Sequence, residues 1–279
     1  MISPGADPRP EWPGTASSAV CLAFDLDGPT GDALLSGAIW ERPSYFSQGA
    51  YGPWRAVDRL LRLLDDFGVP ATFFVPGWVV EHWPDQCRRI VAAGHEVGHH
   101  GYRHEKYWDL TDAQQRAVIE RSQDIFGAEL GCVARGFRTP SGDWRPGTPE
   151  LLVELGFTYS SSLRGDDRPY RHPRAAGLIE IPARSELDDY TSLAYTRNPD
   201  WPSGGARIAS YADTLDSWIR DFDAYHAEGL CLTTIFHPKF VGRPGPARLL
   251  GEWLRHMHDT EGVWFARLGE VADWWASRG

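Results

Sequence analysis

Residues 20–28 of this 279-residue chain read VCLAFDLDG, an apolar run followed by two aspartates and a glycine. A short apolar run such as Val20–Phe24 is typical of a β-strand that is buried on both faces of a parallel sheet. Asp25 and Asp27 are two residues apart, so they point to the same side at the end of this strand. An Asp-Gly turn would explain one aspartate, but two neighbouring carboxylates resist joint ionisation unless a cation lies beside them. The segment therefore predicts a strand with a candidate site at its carboxyl end.

Outward from this segment, short apolar runs alternate with amphipathic helical patterns. Leu60 and Leu64 lie on one apolar stripe of a helix that Gly68 ends. The predicted strands are Val20–Phe24, Ala71–Val75, Glu96–His99, Cys132–Phe137, Phe157–Ser160, Leu178–Pro182, Leu230–Phe236 and Val263–Ala266. Seven or eight βα units in roughly 260 residues predict an α/β fold, a parallel (β/α) barrel. An open doubly wound sheet is the alternative.

The same pattern predicts the domain organisation. Residues 1–17 are rich in proline and glycine, and we expect them to form an irregular N-terminal arm. Residues 18–279 contain no obvious linker or repeat and are expected to form one domain. Residues 28–53 have no helical period but contain several aromatic residues. Long loops in compact domains are usually functional, so this segment is expected to be a lid or an oligomer contact.

Composition excludes several classes of protein. The chain has 28 Lys and Arg against 38 Asp and Glu, a net charge of −10, which argues against nucleic acid as a partner. No run of 18 apolar residues is present, so no membrane span is expected. The N-terminus lacks the apolar region of a signal peptide. The four cysteines have no CxxC spacing, and we expect reduced thiols in a soluble cytoplasmic protein. The sequence is compatible with a homo-oligomer and does not decide the oligomeric state.

Three further polar clusters each follow a predicted strand. His100 and His104 have the HxxxH spacing that allows two imidazoles to bind one metal ion. Arg138 begins the segment RTPSG, and His237 directly follows the run Leu230–Phe236. Each cluster could singly be a surface turn or a core histidine. The carboxyl ends of the strands of a parallel barrel meet on one face, where active sites are built. We therefore predict one site, which contains Asp25, Asp27, His100, His104, Arg138 and His237.

These motifs resemble the polysaccharide deacetylase superfamily, also called the NodB homology superfamily or carbohydrate esterase family 4. The resemblance extends from about Val20 to Trp275 and rests on FDLDG, HGYRH, RTPSG and a late His-Pro, in that order. The spacing FDxD, with GHEVGHHGYRHE, LIEIP and IFHPKFVGRPG, is more similar to an intracellular branch that includes allantoinase-like and cyclic-imidase-like proteins. Adjacent aspartates and a DxxDW motif, which are usual in the secreted enzymes, are missing.

The resemblance implies a distorted (β/α) barrel and a divalent metal ion, most often zinc. It implies that Asp27, His100 and His104 are the metal ligands. Asp25 would be the general base and His237 the general acid. Arg138 would orient the base, and the backbone amide of Ser141 would help to hold the oxyanion. The residue that orients His237 stays open among Asp166, Asp167, Asp188 and Asp189.

These parts suit a metal-dependent hydrolase of carbon–nitrogen bonds other than peptide bonds. The substrate is either an N-acetylated sugar, free or in an oligosaccharide, or a small cyclic amide such as an imide or ureide. Two histidines and one carboxylate are also the facial triad of non-haem Fe(II) oxygenases, so that class is an alternative. A catalytically silent ligand-binding protein on the same fold is the other alternative.

Overall fold

The computed structural model describes residues 9–34, 37–194 and 208–278. Residues 1–8 of the predicted arm lie outside these ranges, and residues 9–17 form turns without a helix or strand. The strands of the described part are β1 (Ser18–Asp25), β2 (Ala71–Val75), β3 (Glu96–His99), β4 (Gly136–Phe137), β5 (Tyr159–Ser160), β6 (Tyr170–His172), β7 (Ala175–Glu180), β8 (Cys231–Thr233) and β9 (Val263–Phe265). The division into an arm and one domain stays a prediction.

The strands form one mostly parallel sheet in the order β6-β7-β5-β4-β3-β2-β1-β8, with β9 also paired to β1. β6 and β7 are the antiparallel pair. Just beyond β7 and β8 the two ends of the sheet approach each other through a bridge between Asp188 and Ile235. The backbone N–H of Ile235 donates to the carbonyl of Leu187 at 3.0 Å. The predicted α/β barrel is thus confirmed in its class and parallel order, but its sheet is not closed.

Helices surround the sheet and link its strands. Those of the described part are α1 (Thr30–Ala33), α2 (Pro43–Tyr51), α3 (Val57–Phe67), α4 (Gly77–His82), α5 (Pro84–Ala92), α6 (Asp112–Leu130), α7 (Thr148–Glu154), α8 (Tyr190–Leu193), α9 (Tyr211–Glu228), α10 (Pro238–Val241), α11 (Pro244–His258) and α12 (Leu268–Ala276). The predicted stripe of α3 is confirmed, since Leu60 and Leu64 are fully buried and Gly68 ends the helix at φ +62°. Within the described ranges, no helix combines the length and the hydropathy that a membrane span requires.

Side-chain alternation along β1 separates two buried layers. Val20, Leu22 and Phe24 belong to the larger core cluster, which includes residues of the surrounding helices. Ala19, Cys21 and Ala23 belong to a second cluster with residues of β2, β5 and β7. Asp25 continues the second series because side chains two residues apart share a face of a strand. β1 therefore carries Asp25 to the end of the inner face of the sheet.

The prediction that residues 28–53 lack helix is wrong. The segment contains α1 and α2, and α2 continues through a π-helical turn, Gly52–Ala56, into α3. α2 packs tightly against the start of the segment, where Gly49 lies so close to Pro29 that a Cβ would be 2.4 Å from the Cα of Pro29. The Trp40 ring packs edge-on against Trp78 at 5.0 Å. Whether the segment acts as a lid or an oligomer contact stays a prediction.

Strand boundaries also differ from the prediction. Cys132–Phe137 shortens to β4 and Leu230–Phe236 to β8, because the remaining residues of these runs find no continuous partner strand. β6 is absent from the prediction, since its sequence YRH has no apolar alternation. The carboxyl ends of β3 and β4, which His100 and Arg138 follow, are at the predicted places, whereas β8 ends three residues before its predicted end at Phe236.

Candidate active site

The structure brings the six predicted residues together at the carboxyl edge of the sheet. They line one cavity of about 320 Å³. Asp25 ends β1, and His100 and Arg138 directly follow β3 and β4. All six side chains are buried. Parallel pairing of β1, β2, β3 and β4 produces this convergence, because it aligns the ends of strands that are far apart in sequence.

Asp27, His100 and His104 form a compact group whose candidate ligand atoms lie within 4.8 Å of one another. Asp27 Oδ1 is 3.5 Å from His100 Nε2 and 3.9 Å from His104 Nε2. Asp27 Oδ1 and His100 Nε2 are buried without a hydrogen-bond partner in the described part of the chain. Buried polar atoms are costly when unpaired, so a group that faces inward in this way fits a bound cation.

Hydrogen bonding and burial prepare these histidines to be metal ligands. His100 Nδ1 donates to the carbonyl oxygen of Arg138 at 2.8 Å, which leaves the lone pair on Nε2 facing Asp27. Burial lowers the pKa of His100 and of His104 to about 4. Both rings are therefore neutral at pH 7, as metal ligation requires. Two imidazoles and one carboxylate also match the donor set of catalytic zinc sites.

Asp25 lies on one flank of this group and is held by Arg138. Arg138 Nη1 donates to Asp25 Oδ1 at 2.8 Å, while its Nε and Nη2 donate to the carbonyl and hydroxyl of Ser161. Asp25 Oδ2 remains directed towards His100 Nε2, 3.9 Å away. Burial alone would raise the pKa of Asp25, but Arg138 and the nearby imidazoles hold it below its ordinary value. Asp25 is thus an ionised carboxylate with one oxygen on the cavity side.

His237 lies on a second flank of the group, beside Asp27, and is held by Asp189. His237 Nδ1 donates to Asp189 Oδ1 at 2.7 Å, and the other carboxylate oxygen accepts from the backbone N–H of His237 and Val241. His237 Nε2 is 3.9 Å from Asp27 Oδ2. Burial would lower the pKa of His237, but Asp189, together with Asp27 and Asp188, outweighs this effect and raises the pKa to about 9. His237 therefore carries a proton on the nitrogen that faces the cavity.

The structure selects Asp189 among the four aspartates that the sequence left open. Asp188 is 3.8 Å from His237 Nδ1, beyond hydrogen-bond distance. Asp166 and Asp167 pair with Arg168 and Arg184 instead. No local signal identifies Asp189, because its contact with His237 joins residues 48 positions apart. Asp188, Asp189 and His237 are also close enough to bind a metal. The hydrogen bonds that already satisfy Asp189 make an orienting role the better explanation.

Ser141 lies at the rim of the same cavity and has the left-handed backbone angle φ +62°. A positive φ is uncommon for a residue other than glycine and concentrates at functional sites. The role of its backbone amide in holding an oxyanion stays a prediction.

A buried cation beside the site was not predicted. Lys239 is 3% exposed, and its Nζ is 2.6 Å from Asp32 Oδ1 on α1. Tyr190 lies next to this pair, and its ring meets that of His237 edge-on at 4.4 Å. One sequence signal points to Lys239, since lysine occurs at only two positions of the chain, 106 and 239.

Comparison with known proteins places the fold and the motifs in one family. The family model for polysaccharide deacetylase matches residues 50–160. The peptidoglycan deacetylase of Helicobacter pylori is 28% identical over 281 residues, which cover 91% of this chain and 94% of that protein. A Mycobacterium smegmatis protein assigned as a polysaccharide deacetylase is 32% identical, with a TM-score of 0.93 over 100% of this chain and 96% of that one.

The crystal structure of Puue allantoinase is also similar. It is 25% identical, with a TM-score of 0.83, and the match covers 98% of this chain and 94% of the allantoinase chain. Both the deacetylases and this allantoinase are therefore similar to the chain over nearly its whole length. The chain belongs to the polysaccharide deacetylase family, as its motifs predicted, and is a hydrolase that acts on carbon–nitrogen bonds.

Proposed function

We propose that the protein is a metal-dependent hydrolase that cleaves the amide carbon–nitrogen bond of a small substrate. The observation that carries this proposal is the arrangement of two proton-handling pairs, Asp25–Arg138 and His237–Asp189. They adjoin different members of the Asp27–His100–His104 group within one cavity, since Asp25 is 3.9 Å from His100 Nε2 and His237 Nε2 is 3.9 Å from Asp27. A facial-triad oxygenase or a silent binding protein would give neither pair a clear role.

Asp27, His100 and His104 would hold the metal ion, for which zinc suits the donor set. When bound, such an ion polarises a carbonyl and lowers the pKa of water. Asp25 is ionised and positioned by Arg138, so its free oxygen can accept the proton of the attacking water. His237 holds a proton at Nε2 and can deliver it to the departing nitrogen. Asp25 would thus act as the general base and His237 as the general acid.

The size of the cavity supports a compact substrate. Its volume of about 320 Å³ is near the lower end of the roughly 300–1,000 Å³ that small-molecule sites span. One N-acetylated sugar unit or one cyclic amide fits such a volume. The deacetylase relative favours the sugar, and the similarity to an allantoinase favours the cyclic amide. We keep both substrate classes, and one experiment decides between them.

The experiment compares substrates on protein that has been stripped of metal and reloaded with zinc. Acetate release from N-acetylglucosamine oligomers is measured beside ring opening of succinimide, hydantoin and allantoin. We expect hydrolysis of one class by the zinc-loaded protein and none by the stripped protein. Ring opening alone would assign the cyclic amides, and acetate release alone the sugars. Turnover that is unchanged by removal of the metal, or no turnover of any substrate, would contradict the proposal.

A further inference from the structure

We propose that Arg164 binds an anionic group of the substrate, so that the preferred substrate is an amide that carries a carboxylate. This inference rests on the proposed function and adds a substrate class to it. Arg164 follows β5 on the loop that closes one side of the cavity, and it lines the same cavity as Asp25, Asp27 and His237.

The Arg164 side chain lies across the segment that contains Ser141. A Cβ built on Gly142 would be 3.2 Å from Arg164 Nη1 and 3.5 Å from Nη2. Gly142 and Ser141 both have left-handed backbone angles, φ +77° and φ +62°. The loop therefore turns sharply at the point next to the guanidinium. The guanidinium is therefore beside the corner at which the substrate carbonyl is expected, rather than on a distant surface.

The Arg164 guanidinium makes no hydrogen bond or ion pair within residues 9–34, 37–194 and 208–278. Its two arginine neighbours differ in this respect. Arg138 is satisfied by Asp25 and Ser161, and Arg184 by Asp167 and Tyr225. A guanidinium offers five donors in a planar fork that matches a carboxylate. Arg164 is an exposed residue that lines the cavity, and its guanidinium has no protein partner in the described part of the chain.

The backbone beneath Arg164 is fixed, which limits where its side chain can reach. The N–H of Leu163 donates to the buried carboxylate of Glu180 at 2.7 Å. The carbonyl oxygen of Arg164 accepts from Arg184 Nη1 at 3.0 Å. The fixed backbone confines the guanidinium to the side of the cavity where the Ser141–Gly142 loop lies.

The charges around the cavity make Arg164 the natural partner of an anion. The other cavity-lining charges are the acids Asp25, Asp27 and Asp188 and the cations Arg138 and His237, which already have carboxylate partners. An anionic substituent near Asp188 would be repelled, whereas one on the Ser141–Gly142 side would meet Arg164. Charge-assisted bonds between a guanidinium and a carboxylate are roughly twice as strong as neutral ones. The site should therefore discriminate between carboxylated and neutral substrates of the same ring.

The test uses matched substrate pairs on the zinc-loaded protein. One pair is hydantoin and hydantoin-5-acetate, and the other is N-acetylglucosamine and N-acetylmuramate. In each pair the second member adds a carboxylate. We expect Arg164→Gln to lower kcat/KM for the carboxylated member by about tenfold, and for the neutral member by less than twofold. Arg164→Lys should recover part of the loss because it keeps the charge. Arg62→Gln, at an exposed arginine remote from the cavity, is the control and should change neither value.

A binding measurement separates this inference from the proposed function. Hydantoin-5-acetate and N-acetylmuramate are each titrated calorimetrically into wild type and Arg164→Gln, whether or not they are turned over. Weaker binding to the variant by about tenfold supports Arg164, even if hydrolysis of every substrate fails and the proposed function falls. Equal binding of both carboxylates to both proteins would overturn the inference. Equal losses for the carboxylated and neutral members would overturn it too.

Discussion

The two flanks of the site use the same kind of contact for opposite purposes. On one flank Arg138 holds the pKa of Asp25 below its ordinary value, and on the other Asp189 raises the pKa of His237. Both groups are buried, and burial alone would oppose the charged form of each. A buried partner of opposite charge therefore decides the protonation state, and its sign decides whether the group is ready to accept or to donate a proton.

Removal of the base should have the largest effect on activity. Asp25→Asn cannot accept a proton but keeps the shape of the side chain, so we expect kcat to fall by about 100-fold to 10,000-fold. Steady-state kinetics on the zinc-loaded variant measures the change. Bound zinc and the thermal midpoint serve as controls. A variant with wild-type kcat would show that Asp25 is not the base.

The second prediction concerns the partner of the acid. Asp189→Asn removes the charge that holds the proton on His237, so we expect about a 10-fold to 100-fold loss of kcat. An acid works while protonated, and its activity is lost as pH rises through its pKa. Because the variant lowers the pKa of His237, the alkaline limb of the kcat profile should move to lower pH.

Asp188→Asn is the matched control for this prediction. Asp188 is adjacent in sequence but lies 3.8 Å from His237 Nδ1, whereas Asp189 lies at 2.7 Å. We therefore expect a smaller shift of the alkaline limb for Asp188→Asn. An equal or larger shift would assign the orienting role to Asp188.

The third prediction concerns Lys239, a buried cation that contacts neither Asp25 nor His237 through a hydrogen bond but pairs with Asp32. Lys239→Met leaves the half-buried carboxylate of Asp32 without its 2.6 Å partner, so we expect about 1–3 kcal/mol of lost stability in urea unfolding. The double variant Asp32→Asn/Lys239→Met should lose less, because no unpaired charge is left. If the double variant is as unstable as the single one, the ion pair does not account for the loss.

The parts of the site that the sequence predicts are those fixed by the ends of parallel strands. Asp25, His100 and Arg138 each end or follow a buried strand, and parallel pairing brings such positions together regardless of loop length. A local pattern is enough for these residues. The HxxxH spacing of His100 and His104 is likewise a local pattern, because it lies within five consecutive residues.

The rest depends on contacts between segments that no local pattern encodes. Asp189 reaches His237 because the segments after β7 and β8 meet where the sheet fails to close. Gly49 of α2 packs closely on Pro29, a contact that no helical period in the sequence predicts. Lys239 and Asp32 are separated by 207 positions. Such contacts depend on the tertiary arrangement, so local sequence patterns could not predict which residues pair.

Two aspartates that are two residues apart are proposed to have different roles, Asp27 as a ligand of the metal ion and Asp25 as the base. The most direct test is the zinc content per chain, after equilibrium dialysis, of the wild type, Asp27→Ala and Asp25→Asn. We expect one zinc ion in the wild type and in Asp25→Asn, and none in folded Asp27→Ala. One zinc ion retained by Asp27→Ala would contradict this assignment.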